Sequence, residues 1–242
     1  MDRITGNEFL VAVRSSATAE DSSSASWAGE LDSFLNTTKD NLLDNVKNCW
    51  ASLFTPRAIF YRFEKELHLE DVSVAVVVQK MVQSEVSGIT FTVHPVTEDK
   101  NQMVIEAGWG LGEAIVGGII TPDTFVIQKS NLKNQNDNSK IKIEDIVTER
   151  YISEQGIMIV RSSEGTKEKP VPEGIREKQK IDDDKIIELA KICLGIEKHY
   201  GFPCDIEWAA AAEGNRDQKS NLKSQNLRLY IVQSRPITTL ES

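Results

Sequence analysis

The chain has 242 residues, of which 40% are hydrophobic and 27% are charged, and this ordinary composition predicts a folded protein with a core. Its net charge of −9 argues against a nucleic-acid partner, although a few local basic groups can still hold a phosphate. The start has no apolar signal core and the longest apolar run, Val74–Val78, is far too short to span a bilayer, so we predict a cytoplasmic protein with no membrane anchor.

The first element is a short apolar strand, Leu10–Val13, that leads into Arg14 and a run of small residues. Backbone N–H groups and hydroxyls of the loop at 22–29 can close over phosphates, with Arg14 as a fixed positive charge at the end of the strand. An ordinary serine-rich turn, in which Arg14 pairs with Glu20 or Asp21, explains the same pattern at least as well when it is taken alone.

A helix pair, several strands and a last helix follow in the chain. Apolar residues recur with helical spacing from 40 to 53, and Thr55 with Pro56 supplies the cap and first turn of a second helix to about residue 67. A later helix begins at about Asp182 and stops at Gly201. Between these helices we predict strands at 72–79, 88–93, 103–107 and 124–128.

Several stretches carry no readable chemistry. Two nearly identical polar segments, 128–136 and 218–226, cannot bury a core and predict exposed loop inserts near 129–140 and 214–226. The charged segment 167–180, with two prolines, predicts another surface loop. Three cysteines without metal-ligand spacing predict reduced, packed thiols, and the three histidines form no catalytic or metal motif.

Two segments in the middle of the chain contain residues suited to a nucleotide. Gln79 and Lys80 end a buried strand, and the following Met81 and Val82 can support a flat base while backbone groups read its edge. A strand that simply leaves the core, with Met81 as filler, is the alternative. The glycine-rich run Glu106–Glu113 lacks the G-x-G-x-x-G spacing, so we exclude a Rossmann site and predict a tight turn that exposes Glu106 or Glu113.

The most specific pattern is a pair of strands near the end of the sequence. Alternation places Asp205 and Glu207 on one face, and Gln233 and Arg235 on one face of the partner strand. Carboxylate and amide oxygens suit Mg²⁺, and a guanidinium suits phosphate. A cross-strand ion pair between Glu207 and Arg235 on a solvated face is the alternative.

Together these segments closely resemble the nucleotide-binding domain of the phosphoenolpyruvate synthase and pyruvate phosphate dikinase family, which has an ATP-grasp fold. The resemblance keeps the family order over most of the chain and fails only in the two inserts and the loop near Lys167. It implies an α+β, ATP-grasp-like fold of mixed, mainly antiparallel sheets with flanking helices, with a phosphate loop and helix pair in about 1–70 and a central sheet and metal site in about 71–242. The segments that carry it are Val11–Asp21, Ser26–Gly29, Cys49–Ala58, Val78–Val82, Gly88–Thr97, Gly108–Glu113 and Val232–Ile237.

The resemblance further implies a phosphotransferase that uses Mg²⁺ and ATP. In this family, attack on the β-phosphate of ATP passes a pyrophosphoryl group to a histidine on a separate domain, which later phosphorylates pyruvate on another. Glu207 and Gln233 match the magnesium ligands, and Arg14 and Arg235 match the groups that stabilise the transferring phosphoryl charge. The implied nucleotide contacts are Gln79, Lys80, Met81, Val82, Glu106 and Glu113.

Other parts of the family are not recognisable in this sequence. They are an N-terminal lobe with a phosphate-binding lysine, the phosphohistidine domain and the pyruvate-binding barrel. We therefore expect a partial ATP-grasp domain whose partner domains come from a missing region or another chain, and the sequence leaves the oligomeric state open. The ATP domain of a rifampicin phosphotransferase-like or glucan dikinase-like enzyme, and a non-catalytic nucleotide-binding or assembly module, are the alternatives.

Overall fold

The computed structural model describes residues 10–18, 27, 29–67, 71–133, 143–162, 165–212 and 227–237. The chain forms two units, residues 1–81 with 161–167 and residues 82–160 with 168–242. All registered strand pairs in the two larger sheets are antiparallel, and each sheet packs against a helix, which confirms the predicted α+β, ATP-grasp-like fold. In the part of the chain that the structure describes, no helix is both long and apolar enough to cross a bilayer.

The first unit is a three-stranded sheet with a helix against one face. Its strands are β1 (Val11–Ala17), β2 (Ser33–Thr37) and β3 (Val74–Lys80), in the order β2-β1-β3. The predicted helix pair is present as α1 (Leu42–Ala51) and α2 (Pro56–Glu64), with a 3-10 helix at Ser52–Phe54 between them. Thr55 caps α2 as predicted, because the N–H of Ala58 donates to its hydroxyl oxygen at 3.3 Å.

The first strand is longer than predicted, and this corrects the placement of Arg14. β1 continues through Ala17 and pairs with β3 along its whole length, so that Arg14 lies opposite Val77. Arg14 therefore sits in the middle of a strand and not at its end. The small polar residues at 15 and 16 do not favour a strand by themselves, but pairing with the apolar β3 overrides that local preference.

The second unit is built on a six-stranded sheet in the order β11-β10-β4-β5-β6-β7. Within the described residues, four α-helices and most of a separate two-stranded hairpin, β8-β9, complete it. The strands are β4 (Val86–Phe91), β5 (Gln102–Trp109), β6 (Asp123–Gln128), β7 (Val147–Tyr151), β8 (Ile157–Arg161), β9 (Thr166–Pro170), β10 (Cys204–Ala212) and β11 (Leu227–Pro236). The helices are α3 (Glu113–Val116), α4 (Lys129–Lys133), α5 (Ile143–Ile146) and α6 (Asp183–Tyr200).

One face of the six-stranded sheet is apolar and lies against α6. Ile186, Leu189 and Cys193 of that helix pack with Ile206 and Trp208 of β10 in the main core. Strand alternation sends every second side chain of β10 to the opposite face, where Asp205 and Glu207 are only half-buried. The sheet therefore has one closed, apolar face and one partly open face.

Two further predictions have clear outcomes in the second unit. The last helix ends as predicted, because Gly201 adopts the left-handed backbone conformation (φ +81°) that favours glycine at a helix C-terminus. The segment 167–180, predicted as a loop, instead contributes most of β9 and a 3-10 helix at Glu173–Ile175. Its charged residues stand on exposed hairpin positions, where strand pairing, rather than an apolar alternation, defines the structure.

Candidate functional site

The partly open face of the six-stranded sheet carries the predicted metal and phosphate residues side by side. Glu207 of β10 lies directly opposite Gln233 of β11, and Asp205 lies directly opposite Arg235. Directly opposite residues of antiparallel strands project from the same face. All four side chains therefore converge on one patch, which we call the polar face, and this is the convergence predicted from strand alternation.

Glu106 extends the polar face two strands further. Ile89 of β4 lies opposite both Glu207 and Glu106, so these three residues form one row across β10, β4 and β5. Burial, and then the negative charge of Asp205, raise the pKa of Glu106 above the ordinary value of a glutamate. The polar face thus concentrates negative charge around an ion pair.

That ion pair joins Arg235 to Asp205. The Nε and Nη2 atoms of Arg235 donate to Oδ2 of Asp205 at 3.0 Å and 2.7 Å. The strand register sets Asp205 directly opposite Arg235, whereas Glu207 lies opposite Gln233. No separate role was predicted for Asp205, although its spacing of two from Glu207 predicts that both lie on the same face.

The strand that carries Gln233 and Arg235 contains an extra residue just before them. Glu207 pairs with Gln233 but the next residue, Trp208, pairs with Ile231, so that Val232 is an additional residue in the ladder. Leu229 and Ile231 pack against the core before this β-bulge. After the bulge, the odd-numbered residues Gln233 and Arg235 lie on the opposite, polar face.

The donor chemistry of this face fits Mg²⁺. Within the described residues, no cluster of three or more His, Cys, Asp or Glu side chains is arranged to hold a metal ion. Mg²⁺ does not require such a cage, since it usually keeps several waters and binds one or two protein oxygens together with substrate phosphates. Glu207 and Gln233 supply one carboxylate and one amide oxygen on neighbouring strands, which is such a set.

The glycine-rich segment forms a tight turn after β5, as predicted. Gly110 has φ +93°, and its carbonyl oxygen accepts hydrogen bonds from the hydroxyls of Ser84 at 2.9 Å and Ser87 at 2.8 Å. The two glutamates predicted at this turn are separated by the fold. Glu106 lies inside β5 on the polar face, whereas Glu113 is the exposed first residue of α3.

In the first unit, two of the predicted residues share a face of the sheet. Arg14 lies opposite Val77 and Gln79 lies opposite Ala12, so Arg14 and Gln79 occupy adjacent rows on the same face. Lys80 is one residue further along β3 and projects from the other face. The N–H of the next residue, Met81, donates to the carbonyl of Leu10 at 3.0 Å, and Val82 begins the second unit.

The other predictions concern the cysteines, the histidines, the phosphate loop and the inserts. The cysteines are packed thiols as predicted, since Cys49, Cys193 and Cys204 are free and buried, and burial raises the pKa of Cys49 to about 11 and of Cys193 to about 12. His94 holds a turn through its Nδ1, which accepts from the N–H groups of Val96 and Thr97, both at 3.2 Å. The first insert, predicted as an exposed loop, begins instead as α4, because Leu132 packs into the main core and Lys129 is buried. Residues 22–26 and 28 of the predicted phosphate loop, and 134–140 and 213–226 of the inserts, lie outside the described residues.

The fold and the polar face define a nucleotide-binding domain of the ATP-grasp-like class. Residues 1–242 match the family described as "Pyruvate phosphate dikinase, AMP/ATP-binding domain", and the chain belongs to that family. The recognition made from the sequence is thereby confirmed at the level of the family.

Curated relatives are similar in sequence over nearly all of this chain. It is 43% identical over 237 residues to a probable phosphoenolpyruvate synthase of Methanocaldococcus jannaschii, covering 97% of this chain and 18% of the relative. It is 46% identical over 236 residues to a probable phosphoenolpyruvate synthase of Archaeoglobus fulgidus, covering 97% and 28%. It is 40% identical over 237 residues to the rifampicin phosphotransferase of Bacillus cereus, covering 97% and 24%. The chain thus spans less than a third of the length of these relatives.

Proposed function

We propose that this chain binds Mg-ATP as the nucleotide-binding part of a phosphoenolpyruvate synthase-like dikinase. The observation that carries the proposal is the register of β10 and β11, which sets Glu207 against Gln233 and Asp205 against Arg235 on a half-buried polar face. Membership of a family described as an AMP/ATP-binding domain supports the choice of ligand. A surface ion pair alone would not require a carboxylate and an amide oxygen beside it.

Each side chain has a role that follows from its chemistry. Glu207 and Gln233 would hold Mg²⁺, which supplies charge neutralisation and orientation for the nucleotide phosphates when it is bound. Arg235 offers a planar guanidinium, and because Asp205 binds its Nε and Nη2, the guanidinium is held in a fixed orientation before phosphate arrives. Arg14 and Gln79, which share a face of the first unit's sheet, would contribute a second cation and a polar nucleotide contact.

The reaction proposed for the whole enzyme is a transfer from ATP to a histidine. A ring nitrogen of that histidine attacks the β-phosphorus, the bond from the β-phosphorus to the bridging α–β oxygen breaks, and AMP leaves with the bonding electrons. The residues of this chain would bind and orient the nucleotide and stabilise charge on the transferring group. The histidine and the pyruvate site would belong to other domains, consistent with relatives of which the matched region covers only 18% and 31%.

Transfer to an antibiotic is a second candidate for the final step. The 40% identity to a rifampicin phosphotransferase over 97% of this chain is close to the identity shared with the phosphoenolpyruvate synthases. The polar face is compatible with either acceptor, because its residues would bind only the nucleotide and its metal ion. The two candidates therefore share the binding step and differ in the domain that receives the phosphoryl group.

Calorimetric titration of the 242-residue chain with ATP tests the binding step. We expect binding in the presence of Mg²⁺ that weakens when EDTA replaces it. Glu207→Gln and Arg235→Gln should each raise the Kd for Mg-ATP by about 10- to 100-fold, the equivalent of one charge-assisted interaction. Arg228→Gln is the matched control, since Arg228 is an exposed arginine of the same strand, and it should change the Kd by less than about twofold.

The outcomes separate the proposal from its rivals. Unchanged Mg-ATP binding in Glu207→Gln and Arg235→Gln would remove the residue assignment, and absence of binding in the wild type would remove the function. Transfer is then tested with ATP labelled on the β-phosphate and a separately purified acceptor domain from each of the two kinds of relative. Label on the phosphoenolpyruvate synthase domain supports the first candidate, label on the rifampicin phosphotransferase domain supports the second, and label on neither indicates a binding module.

A further inference from the structure

The extra residue in β11 is a local irregularity at the centre of the proposed site. On one side of β10, the pairs Glu207–Ile89 and Trp208–Gly88 continue without interruption. On the other side, the ladder shifts between Glu207 and Trp208, and the shift leaves Val232 as the additional residue. The irregularity therefore belongs to β11, the strand that carries Gln233 and Arg235.

The extra residue is not needed to place Gln233 and Arg235 on the polar face. If Val232 were absent, Ile231 and Gln233 would become consecutive residues and would alternate between the faces of the sheet in the ordinary way. Their partners on β10, Trp208 and Glu207, would also be the same as they are now. A regular strand would thus keep the core residues inward and the site residues outward, and the bulge must have another consequence.

The consequence of a bulge is a bend and a stronger local twist in the strand that contains it. Here the bend falls between the part of β11 that packs on the core, which includes Ile231, and the part that faces the site. The facing strand is held in place on its other side, where Trp208 is 1% exposed and lies against Gly88 so closely that a Cβ on Gly88 would come within 2.4 Å of the indole. The bend can therefore change the direction of Gln233 and Arg235 while Glu207 and Asp205 stay fixed.

We propose that Val232 is a positioning residue, whose insertion into β11 bends the strand so that Gln233 and Arg235 meet Mg-ATP at the required angle. The proposal rests on the proposed function and adds to it a determinant that touches neither metal nor nucleotide. It assigns the geometry of the site to the extra residue and to its restricted backbone, because the bend requires the additional residue and a backbone conformation that glycine would not hold in place.

Deletion of Val232 separates the bend from the choice of face. We compare wild type, the Val232 deletion and Val232→Thr, a β-branched variant that keeps the residue count. For each we measure the thermal midpoint and the Kd for ATP with Mg²⁺ and with EDTA. The deletion should keep a cooperative thermal transition but raise the Kd for Mg-ATP by about tenfold or more, since small misplacements of site residues have large effects. In the deletion, the ratio of the Kd with EDTA to the Kd with Mg²⁺ should also fall. The Kd of Val232→Thr for Mg-ATP should match that of the wild type within about threefold.

The result that overturns the inference is a deleted protein that folds and binds Mg-ATP with the wild-type affinity and Mg²⁺ dependence. Failure of the wild type to bind Mg-ATP would instead count against the proposed function. If the deleted protein does not fold, Val232→Gly tests the inference instead, because glycine keeps the residue count but relaxes the backbone at the bulge. A rise in the Kd of about threefold or more relative to Val232→Thr, at a temperature where both are folded, supports the inference, and equal affinities overturn it.

Discussion

The three acidic side chains of the polar face differ in their surroundings. Asp205 binds the guanidinium of Arg235, and Glu207 lies opposite the amide of Gln233. Glu106 lies between Ile89 and Thr124 of the neighbouring strands and is subject to the negative charge of Asp205. Burial and like charge both oppose ionisation, so folding disfavours the charged form of Glu106. This difference makes the stability of the second unit depend on pH.

Glu106→Gln should therefore become more stabilising as the pH rises. The folded-state pKa of Glu106 is raised above 4.5, so its favourable contribution is complete below that pH and is lost as the pH rises through the folded-state pKa. We expect the thermal midpoint of Glu106→Gln to match the wild type at about pH 4 and to exceed it at about pH 7. Scanning calorimetry across this range checks the prediction. The exposed Glu149→Gln on β7 is the control, and an identical pH profile for both variants would contradict it.

At the scale of elements, the position of Glu207 depends on a close approach between neighbouring strands. Gly88 of β4 lies opposite Trp208, and the indole occupies the space in which any other residue would place its Cβ. The carbonyl oxygen of Glu106 on β5 closes the same space from the other side. Three strands that carry or flank the polar face are thus packed together at a position that accepts only glycine.

Gly88→Ala should destabilise the chain clearly. The added Cβ would lie 1.8 Å from the carbonyl oxygen of Glu106, and relief requires movement of backbone, so we expect a loss of about 1–3 kcal/mol or more in the free energy of unfolding. Gly195→Ala in α6 is a matched control, because a Cβ there meets nothing within 4 Å and should stabilise the helix by up to about 1 kcal/mol. Denaturant titration measures both, and a Gly88→Ala midpoint at or above the wild type would contradict the expected clash.

At the scale of the whole second unit, a buried ion pair joins segments that are far apart in the sequence. Lys180 and Asp123 are both 0% exposed, and the ammonium donates to Oδ1 of Asp123 at 2.7 Å and also to the carbonyl of Ser153. The N–H groups of Ser153 and Lys180 donate to the same carboxylate, each at 2.9 Å. The start of β6, the loop after β7 and the segment before α6 are therefore held by one cluster of satisfied charges.

Lys180→Met should be among the most destabilising single changes in this unit. Removal of the ammonium leaves the Asp123 carboxylate buried without its cation, for which we expect a loss of about 3–5 kcal/mol. The exposed Lys191→Met on α6 should change stability by less than about 0.5 kcal/mol. The double variant Lys180→Met with Asp123→Asn should recover part of the loss, since it removes the unpaired charge. Denaturant unfolding of the wild type, the two lysine variants and the double variant measures these free energies. Equal stabilities of Lys180→Met and Lys191→Met would contradict the role of the cluster.

The parts of the fold that sequence reasoning predicted are those fixed by short-range patterns. The helix pair followed from helical spacing and the Thr55–Pro56 start, and the end of α6 followed from Gly201, where the left-handed backbone favours glycine. The parts that it missed, such as the strand character of 15–17 and of β9, have small or charged residues whose structure comes from a partner strand. The switch from Leu229 and Ile231 to Gln233 and Arg235 at the same odd spacing was the one sequence signal that indicated a bulge.

The sequence by itself determined the family, the order of the main elements and the shared face of Asp205 and Glu207, because alternation along one strand is a local property. Only the tertiary structure decided which residues meet across strands. The register of β10 and β11 sets Arg235 opposite Asp205 and Gln233 opposite Glu207. The extra residue Val232 lies in β11, the strand that carries Gln233 and Arg235. Those pairings depend on hydrogen bonds between strands on either side of the segment at 213–226, and no local pattern in either strand specifies the register between them.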